Sequence, residues 1–330
     1  MSIPYWGRKS NKYMQRILGL FPKDEVHVVV DACMGSGSFS ESISCQMEGV
    51  ERLSFELDKG VYIMHKVIRE QLGELLDRMT KVQFSEELYE SCRAKINRVL
   101  AGDSHYEEVD IALAELILLY FSHNSMRGTH ARKYDSYKKH EKKEEQERNR
   151  YTLKKIFDRF YLKAPGDIVF LHAKWQRLNI IHDDFRNHKD LWENDRAWIY
   201  IDMPYELSKR GLDESHEKMN GHYGYDVDMT VEDHEKFIQC ISDMYEENRL
   251  RAKMIVCTNY EVDESGRVII RLGDRYSRLL NCGFRRIIID EKACSNPYIS
   301  TEQKTGAVKK KHRKVEVVYI NYEIVGEKSR

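Results

Sequence analysis

A run of four apolar residues, 198–201, is followed directly by Asp202, Met203, Pro204 and Tyr205, and this junction constrains the fold more than any other stretch. Four largely β-favouring apolar residues in a row are typical of a central strand that is covered on both faces. Pro204 lacks a backbone donor, so the strand is expected to end there. Ligands of open α/β sheets bind at the carboxyl ends of strands, where Asp202 and Tyr205 would lie. The alternative is an ordinary acid–proline turn with a surface tyrosine.

A second apolar run, 28–30, leads through Asp31 into a turn that contains Gly35 and Gly37. Glycine lets a backbone pass close to a ligand, and the amides at the start of the helix that should follow can hold polar groups. About twenty residues further along, the segment 52–58 is predicted to be a strand that ends in acid, where ribose hydroxyls could be gripped. Together, the glycine turn, the downstream acid and the strand-end Asp-x-Pro-Tyr favour a nucleotide-binding site far more than any one of them alone.

Local patterns predict the remaining elements. Ser10 is expected to cap a helix over 11–20, and Thr230 with Asp233 to open a helix that runs to about residue 248. Residues 206–228, rich in glycine and histidine, are predicted to form a mobile loop over the pocket. Further strands are predicted near residue 180 and at 253–260, 284–290 and 315–322.

Four segments resemble the Dam-like family of S-adenosylmethionine-dependent DNA adenine-N6 methyltransferases, and they occur in the family's order. Residues 4–9 resemble its Tyr-x-Gly-x-Lys segment, and residues 31–39 resemble its loop around the methionine sulfonium. Residues 182–185 resemble the Asp-Phe pair that contacts the cofactor's adenine, and residues 202–205 resemble the catalytic Asp-Pro-Pro-Tyr. Met203 stands where the family usually has its first proline.

The resemblance implies an α/β fold with a Rossmann-like class I methyltransferase sheet and helices on both faces. Residues 61–163 show long helical patterns and no strand-like alternation, so an inserted, mainly helical target-recognition module is expected there. The predicted division assigns residues 1–60 and 165–330 to the catalytic, cofactor-binding domain and residues 61–164 to the insertion.

The resemblance also assigns the cofactor, S-adenosyl-L-methionine, to a set of residues. Amides of the glycine turn bind its methionine part, Glu56 is preferred over Asp58 for the ribose, and Asp184 accepts a hydrogen from the adenine amino group beside Phe185. Tyr5 or Tyr205 would face the sulfonium. The full predicted set is Tyr5, Trp6, Gly7, Lys9, Asp31, Met34, Gly35, Ser36, Gly37, Ser38, Phe39, Glu56, Leu57, Asp58, Asp184, Phe185 and Asp202.

The predicted catalytic residues are Asp202, Met203, Pro204 and Tyr205. Asp202 and the backbone carbonyl of Met203 would accept the two hydrogens of the target adenine's amino group and so direct its lone pair at the methyl. Any residue supplies that carbonyl, so the acceptor survives the loss of proline. Tyr205 would stack on the base, which must leave the duplex to reach the cofactor.

Double-stranded DNA is the expected partner, although lysine plus arginine equals aspartate plus glutamate at 54 each. Basic clusters at 8–16 and 304–314 could hold phosphates, and residues 131–155 interleave tyrosine with arginine and lysine. A solvated loop for each cluster, and a solvated helix or disordered loop for 131–155, are the alternatives. The predicted DNA-binding residues are Lys9, Asn124, Arg127, Arg132, Lys133, Lys138 and Lys139.

Composition excludes several other classes. No stretch of about 18 apolar residues occurs and the amino terminus lacks a signal-peptide pattern, so a cytoplasmic protein without a membrane partner is expected. Seven cysteines without a C-x-x-C pair argue against a disulfide framework and a structural zinc site, and no metal is predicted. A restriction or phage-defence partner stays open.

Three alternative functions stay open at this point. A nicotinamide enzyme would need the spacing G-x-G-x-x-G, but the third glycine is absent. A catalytically silent DNA-binding relative would keep the fold, and Met203 is the feature that favours it. The same chemistry would also serve cytosine-N4 or an amine in RNA.

Overall fold

A seven-stranded mixed β-sheet organises the chain in the computed structural model, which describes residues 3–4, 9–22, 24–44, 49–122, 155–203, 229–262, 275–293 and 313–325. Its strand order is β3-β2-β1-β4-β5-β7-β6, and β7 runs in the opposite direction to the other six strands. The predicted α/β class is therefore confirmed. The strands are β1 (Val28–Asp31), β2 (Glu51–Phe55), β3 (Asn179–Ile181), β4 (Ala197–Ile201), β5 (Lys253–Val262), β6 (Arg285–Ala293) and β7 (Arg313–Ile320).

The centre of the sheet is β4, all of whose residues are buried, and it lies between β1 and β5. Successive side chains of a strand point to opposite faces. Ile199 and Ile201 accordingly join one apolar core, and Trp198 and Tyr200 join the other. This double burial is the reason for the unbroken apolar run, because neither face of the strand meets water.

Helices cover both faces of the sheet. On one face lie α1 (Asn11–Leu18), which Ser10 caps as predicted, and α2 (Ser38–Ile43). On the other face lies α9 (Val231–Glu246), whose first turn is closed by the predicted capping box of Thr230 and Asp233.

The described part of the segment between β2 and β3 is helical, as predicted, and its helices share one apolar core. That core also takes in Met34 from the glycine turn and Ile180 from β3. The first of these helices begins at Lys59, two residues before the predicted limit of 61, and the last ends at Trp175, eleven residues after the predicted limit of 164; their role as a target-recognition module stays a prediction. They are α3 (Lys59–Glu70), α4 (Leu72–Thr80), α5 (Glu86–Leu100), α6 (Glu108–Phe121) and α7 (Ala164–Trp175), with a π-helical turn at Arg159–Lys163 and residues 123–154 outside the description.

Short elements complete the description. A 3-10 helix at Phe185–Asn187 and the helix α8 (Lys189–Glu193) connect β3 to β4. A second 3-10 helix, Arg275–Cys282, precedes β6. Asn321, just after β7, accepts the amide of Met254 at 2.7 Å and donates to the carbonyl of Ala252 at 2.9 Å, so it joins the end of β7 to the start of β5.

Candidate active site

Three neighbouring parallel strands end at the same edge of the sheet, and each end carries a predicted site residue. Asp31 ends β1, Glu56 directly follows β2 and Asp202 directly follows β4. The register pairs Asp31 with Ser54 on one side and with Tyr200 on the other. The chain order reverses between β1 and β4, which is the topological switch point where open α/β sheets bind ligands.

The glycine turn after β1 is held from two sides. Gly35 has a φ of 47° and Gly37 a φ of 71°, both in the left-handed region that glycine adopts without strain. The amide of Gly35 donates to Glu56 Oε2 at 2.8 Å, and its carbonyl lies 2.7 Å from Nε2 of His65 on α3. Burial lowers the pKa of His65 to about 4, so the neutral ring donates its Nε2 hydrogen to this carbonyl. No local pattern pointed to His65, because it lies thirty positions from Gly35.

The two acids after β2 have different surroundings. Glu56 is buried, and its carboxylate accepts the amides of Gly35 and Asp58, at 2.8 and 2.9 Å. Asp58 is also buried, but its carboxylate caps α3 by accepting the amides of Gly60 and Val61. Glu56 therefore contacts the glycine turn, whereas the carboxylate of Asp58 belongs to the helix. Leu57, between them, is 40% exposed.

Asp31 lies in a buried polar cluster. Its Oδ2 accepts the hydroxyl of Ser40 at 2.7 Å, and that hydroxyl also lies 2.7 Å from Oγ of Ser54. Burial raises the pKa of Asp31 to about 6, and hydrogen bonds from Ser40 and Cys33 oppose part of that rise. These contacts fix where β1 ends and the glycine turn begins.

The other predicted residues of the turn are buried. Phe39 stacks on Tyr200 with 4.2 Å between ring centroids, and Met34 packs in the helical core. The hydroxyls of Ser36 and Ser38 lie 2.7 Å apart and are buried. The side chains of Met34 and Phe39 therefore anchor the glycine turn in the apolar cores.

Asp202 lies at the end of β4 beside a cation. Its Oδ1 is 3.2 Å from Nζ of Lys9, and its Oδ2 accepts the hydroxyl of Tyr200 at 3.3 Å. Burial raises the pKa of Asp202, Lys9 opposes that rise, and the carboxylate of Glu316 adds to it. The side chain of Met203 is buried in the apolar core, so this position contributes packing as well as a backbone carbonyl.

Lys9 joins three elements. Its ammonium lies 3.2 Å from Asp202, 3.7 Å from Oε2 of Glu316 on β7 and 5.0 Å from the ring centre of Tyr13 on α1. The sequence interpretation missed Glu316, although an acid within the apolar run from Val315 was a usable signal.

Asp184 and Phe185, the predicted contacts of the cofactor's adenine, do not share the surroundings of the acids at the strand ends. The carboxylate of Asp184 accepts the backbone amide of Arg186 at 2.9 Å and is paired with the guanidinium of the same residue at 2.6 Å. Phe185 is buried and packs against Trp192 and Phe237. The structure thus places Asp184 near the surface of this edge, in an ion pair, and Phe185 within the core.

Several predicted site residues lie outside the described part of the chain, and their roles stay predictions. The same is true of the predicted loop 206–228, of most of the segment 131–155 and of the basic cluster 304–314, apart from the backbone of its last two residues. These site residues are Tyr5, Trp6, Gly7, Asn124, Arg127, Arg132, Lys133, Lys138, Lys139, Pro204 and Tyr205.

Comparison with known proteins adds no family. No protein-family model matches the chain, and no curated protein matches it at a significant level. Within the described ranges, no helix has both the length and the apolarity needed to span a bilayer. The same ranges contain no group of three or more His, Cys, Asp or Glu side chains placed to hold a metal ion.

Proposed function

We propose that the chain is an S-adenosylmethionine-dependent DNA methyltransferase that modifies the N6 amine of adenine. One observation carries the proposal: the glycine turn, Glu56 and Asp202 follow three adjacent parallel strands at the switch point of the sheet. The mixed seven-stranded sheet is consistent with the Rossmann-like sheet that the family resemblance implies.

The residues at this edge fit the proposed cofactor. Two backbone amides orient the carboxylate of Glu56 just after β2, and a carboxylate at this strand end is the group that can accept ribose hydroxyls. Gly35, anchored by Glu56 and His65, holds the turn in one shape before any ligand arrives, which lowers the entropy cost of binding. Asp184 fits less directly, because Arg186 already engages its carboxylate.

S-adenosylmethionine supplies an electrophilic methyl group on a sulfonium. Asp202 accepts one hydrogen of the target amine and the carbonyl of Met203 accepts the other, which draws the nitrogen toward a tetrahedral shape and frees its lone pair. Asp202 suits this role because it directly follows the buried central strand, and Tyr200 donates its hydroxyl to one of the carboxylate oxygens. Tyr205 stacks on the flipped base.

The test is to incubate the protein with S-adenosylmethionine labelled in its methyl group and a mixed-sequence DNA duplex, and to identify the labelled nucleoside. N6-methyl-2′-deoxyadenosine that is lost in the Asp202→Asn variant supports the proposal. Label in N4-methylcytosine, or in RNA when RNA is supplied instead of DNA, would mean that the substrate is a different amine. The proposed methyl transfer from S-adenosylmethionine would still hold. Tight DNA binding without label under any condition would favour the silent relative.

A further inference from the structure

Lys9 lies between two carboxylates that come from different strands. Asp202 extends from β4 and Glu316 lies on β7, and their Nζ–O distances to Lys9 are 3.2 and 3.7 Å. The three side chains are 10%, 18% and 7% exposed for Lys9, Asp202 and Glu316 respectively. Water therefore screens their charges only weakly. The ring of Tyr13 faces the ammonium at 5.0 Å and further favours its position.

The charge of this trio depends on Glu316. With all three groups ionised, two carboxylates and one ammonium carry a net charge of −1. Without the carboxylate of Glu316, the charges of Lys9 and Asp202 would sum to zero. A neutral pair would hold little attraction for a cation at the end of β4.

We propose that Glu316 is a positioning residue for methyl transfer, which acts by sharing the ammonium of Lys9 so that Asp202 keeps an effective negative charge. The inference rests on the proposed function and deepens it. Glu316 does not touch the reacting atoms. It determines how much of the negative charge of Asp202 is offset by Lys9, and so how strongly Asp202 interacts with the substrate.

The chemistry explains why this charge matters. The amine's lone pair forms the N–C bond, the C–S bond breaks and its electron pair stays on sulfur. The positive charge moves from sulfur to nitrogen, and a proton then leaves the nitrogen for solvent. Positive charge thus develops on the nitrogen, next to Asp202, as the transition state forms. A net charge of −1 on the trio stabilises this developing charge more than a neutral pair of Lys9 and Asp202 would. Stabilising the transition state more than the bound substrate raises kcat.

Charge-neutral substitution gives the main test. Glu316→Gln keeps the shape of the side chain, removes one of the two carboxylates beside Lys9 and is expected to lower kcat by about tenfold or more while the KM for S-adenosylmethionine changes little. Adding Lys9→Met restores the net charge of −1, so the double variant is expected to recover most of the lost rate. Glu316→Asp should be close to wild type. Glu232→Gln, at an exposed position in the first turn of α9, is the control and should leave kcat unchanged.

The inference would be overturned if the decreases in kcat caused by Lys9→Met and by Glu316→Gln added up in the double variant. If Glu316 had only a structural role, removing Lys9 as well would not restore kcat. A kcat unchanged by Glu316→Gln alone would also overturn it. Thermal unfolding of each variant identifies any rate loss that comes from instability.

A second measurement needs no activity, so it separates this inference from the proposed function. Carboxyl carbon NMR follows the pKa of Asp202, whose signal is the one missing from Asp202→Asn. Among the described residues, the titratable groups that interact with Asp202 are Lys9, Glu316, the hydroxyl of Tyr200, Asp31, Tyr13, Cys33 and Cys257. Glu316→Gln should lower the pKa of Asp202 and Lys9→Met should raise it.

Shifts of this kind in a protein that methylates nothing would refute the proposed function but leave the charged trio in place. An unchanged pKa in both variants would refute the trio itself. If Glu316→Gln does not fold, Lys9→Met decides, since its pKa shift depends on the same contact.

Discussion

Removing the charge of Asp31 should change how the stability of the fold depends on pH. The side chain is 2% exposed, and burial raises its pKa from the ordinary value of 3.8 to about 6. The hydrogen bond from Ser40 stabilises the ionised form but only partly offsets the loss of water. At neutral pH, the folded chain therefore holds a carboxylate at a position that disfavours its charge.

The direction in which the free energy of unfolding changes with pH follows from proton binding. A carboxyl with a raised pKa binds more protons in the folded state than in the unfolded state, so the free energy of unfolding falls as pH rises. The stabilisation is complete below about pH 4 and is lost as pH rises through the folded pKa of about 6. A rise of the pKa from 3.8 to about 6 corresponds to about 3 kcal/mol.

Asp31→Asn tests this directly, by urea unfolding followed by circular dichroism from pH 4.5 to pH 8. The variant should be the more stable protein at pH 8, by up to about 3 kcal/mol less the cost of its altered hydrogen bonds, and this advantage should shrink by about 2 kcal/mol at pH 4.5. Exposed carboxyls of lowered pKa, such as Asp103 and Asp183, make the free energy of unfolding depend on pH in the opposite direction. Their contribution is the same in both proteins, so it cancels when the free energy of unfolding of the wild type is subtracted from that of the variant.

A matched control is Ser40→Ala, which removes a hydrogen bond to the ionised form. The pKa of Asp31 should then rise further, and the pH window should move upward. A difference between wild type and Asp31→Asn that does not depend on pH would refute the reasoning, because it would mean that Asp31 does not titrate in this range.

Three other outcomes are expected. A Cβ on Gly37, with its φ of 71°, would lie 3.0 Å from the buried ring of Trp175, so Gly37→Ala should lower the free energy of unfolding by about 1–2 kcal/mol or more in urea titration. Calorimetry of the folded variant with S-adenosylmethionine should show a further loss of affinity. Asp202→Ala should nearly eliminate turnover while cofactor affinity falls far less, and Tyr205→Phe should retain much of the rate because stacking needs only the ring. Reversing four charges should weaken DNA binding and flatten its dependence on salt, without an effect on cofactor binding; an unchanged salt slope would count against DNA contact. The four are Arg132, Lys133, Lys138 and Lys139.

The sequence predicted the elements whose cause is local. The apolar run at 198–201 became β4, Ser10 capped α1, and the predicted strands near 180 and at 253–260, 284–290 and 315–322 all occur. In each case the signal lies within a few residues of the structure that it causes, such as a cap beside its helix or an apolar run within its strand.

Side-chain partners across long separations could not be predicted in the same way. Glu56 and Asp58 lie two residues apart, and both lie beyond the end of β2. The difference between them comes from Gly35, whose amide meets Glu56, and from the start of α3, which takes Asp58 as its cap. Asp184 was predicted as a ligand contact from its neighbour Phe185, but the pairing with Arg186 depends on how the chain turns after β3.

The departure at Met203 has a packing explanation. Its side chain is 5% exposed and belongs to the same core as Ile201 and Phe237. A proline there would fix the backbone more firmly, but it would leave part of this volume empty, and buried cavities cost stability. The carbonyl that the proposed mechanism needs is common to both residues. Methionine at this position therefore exchanges backbone rigidity for core contacts, and the group next to it is Asp202, whose Oδ2 accepts the hydroxyl of Tyr200. In this arrangement the acceptor geometry depends on a side chain from β4, so loss of activity would follow from losing Tyr200 sooner than from methionine itself.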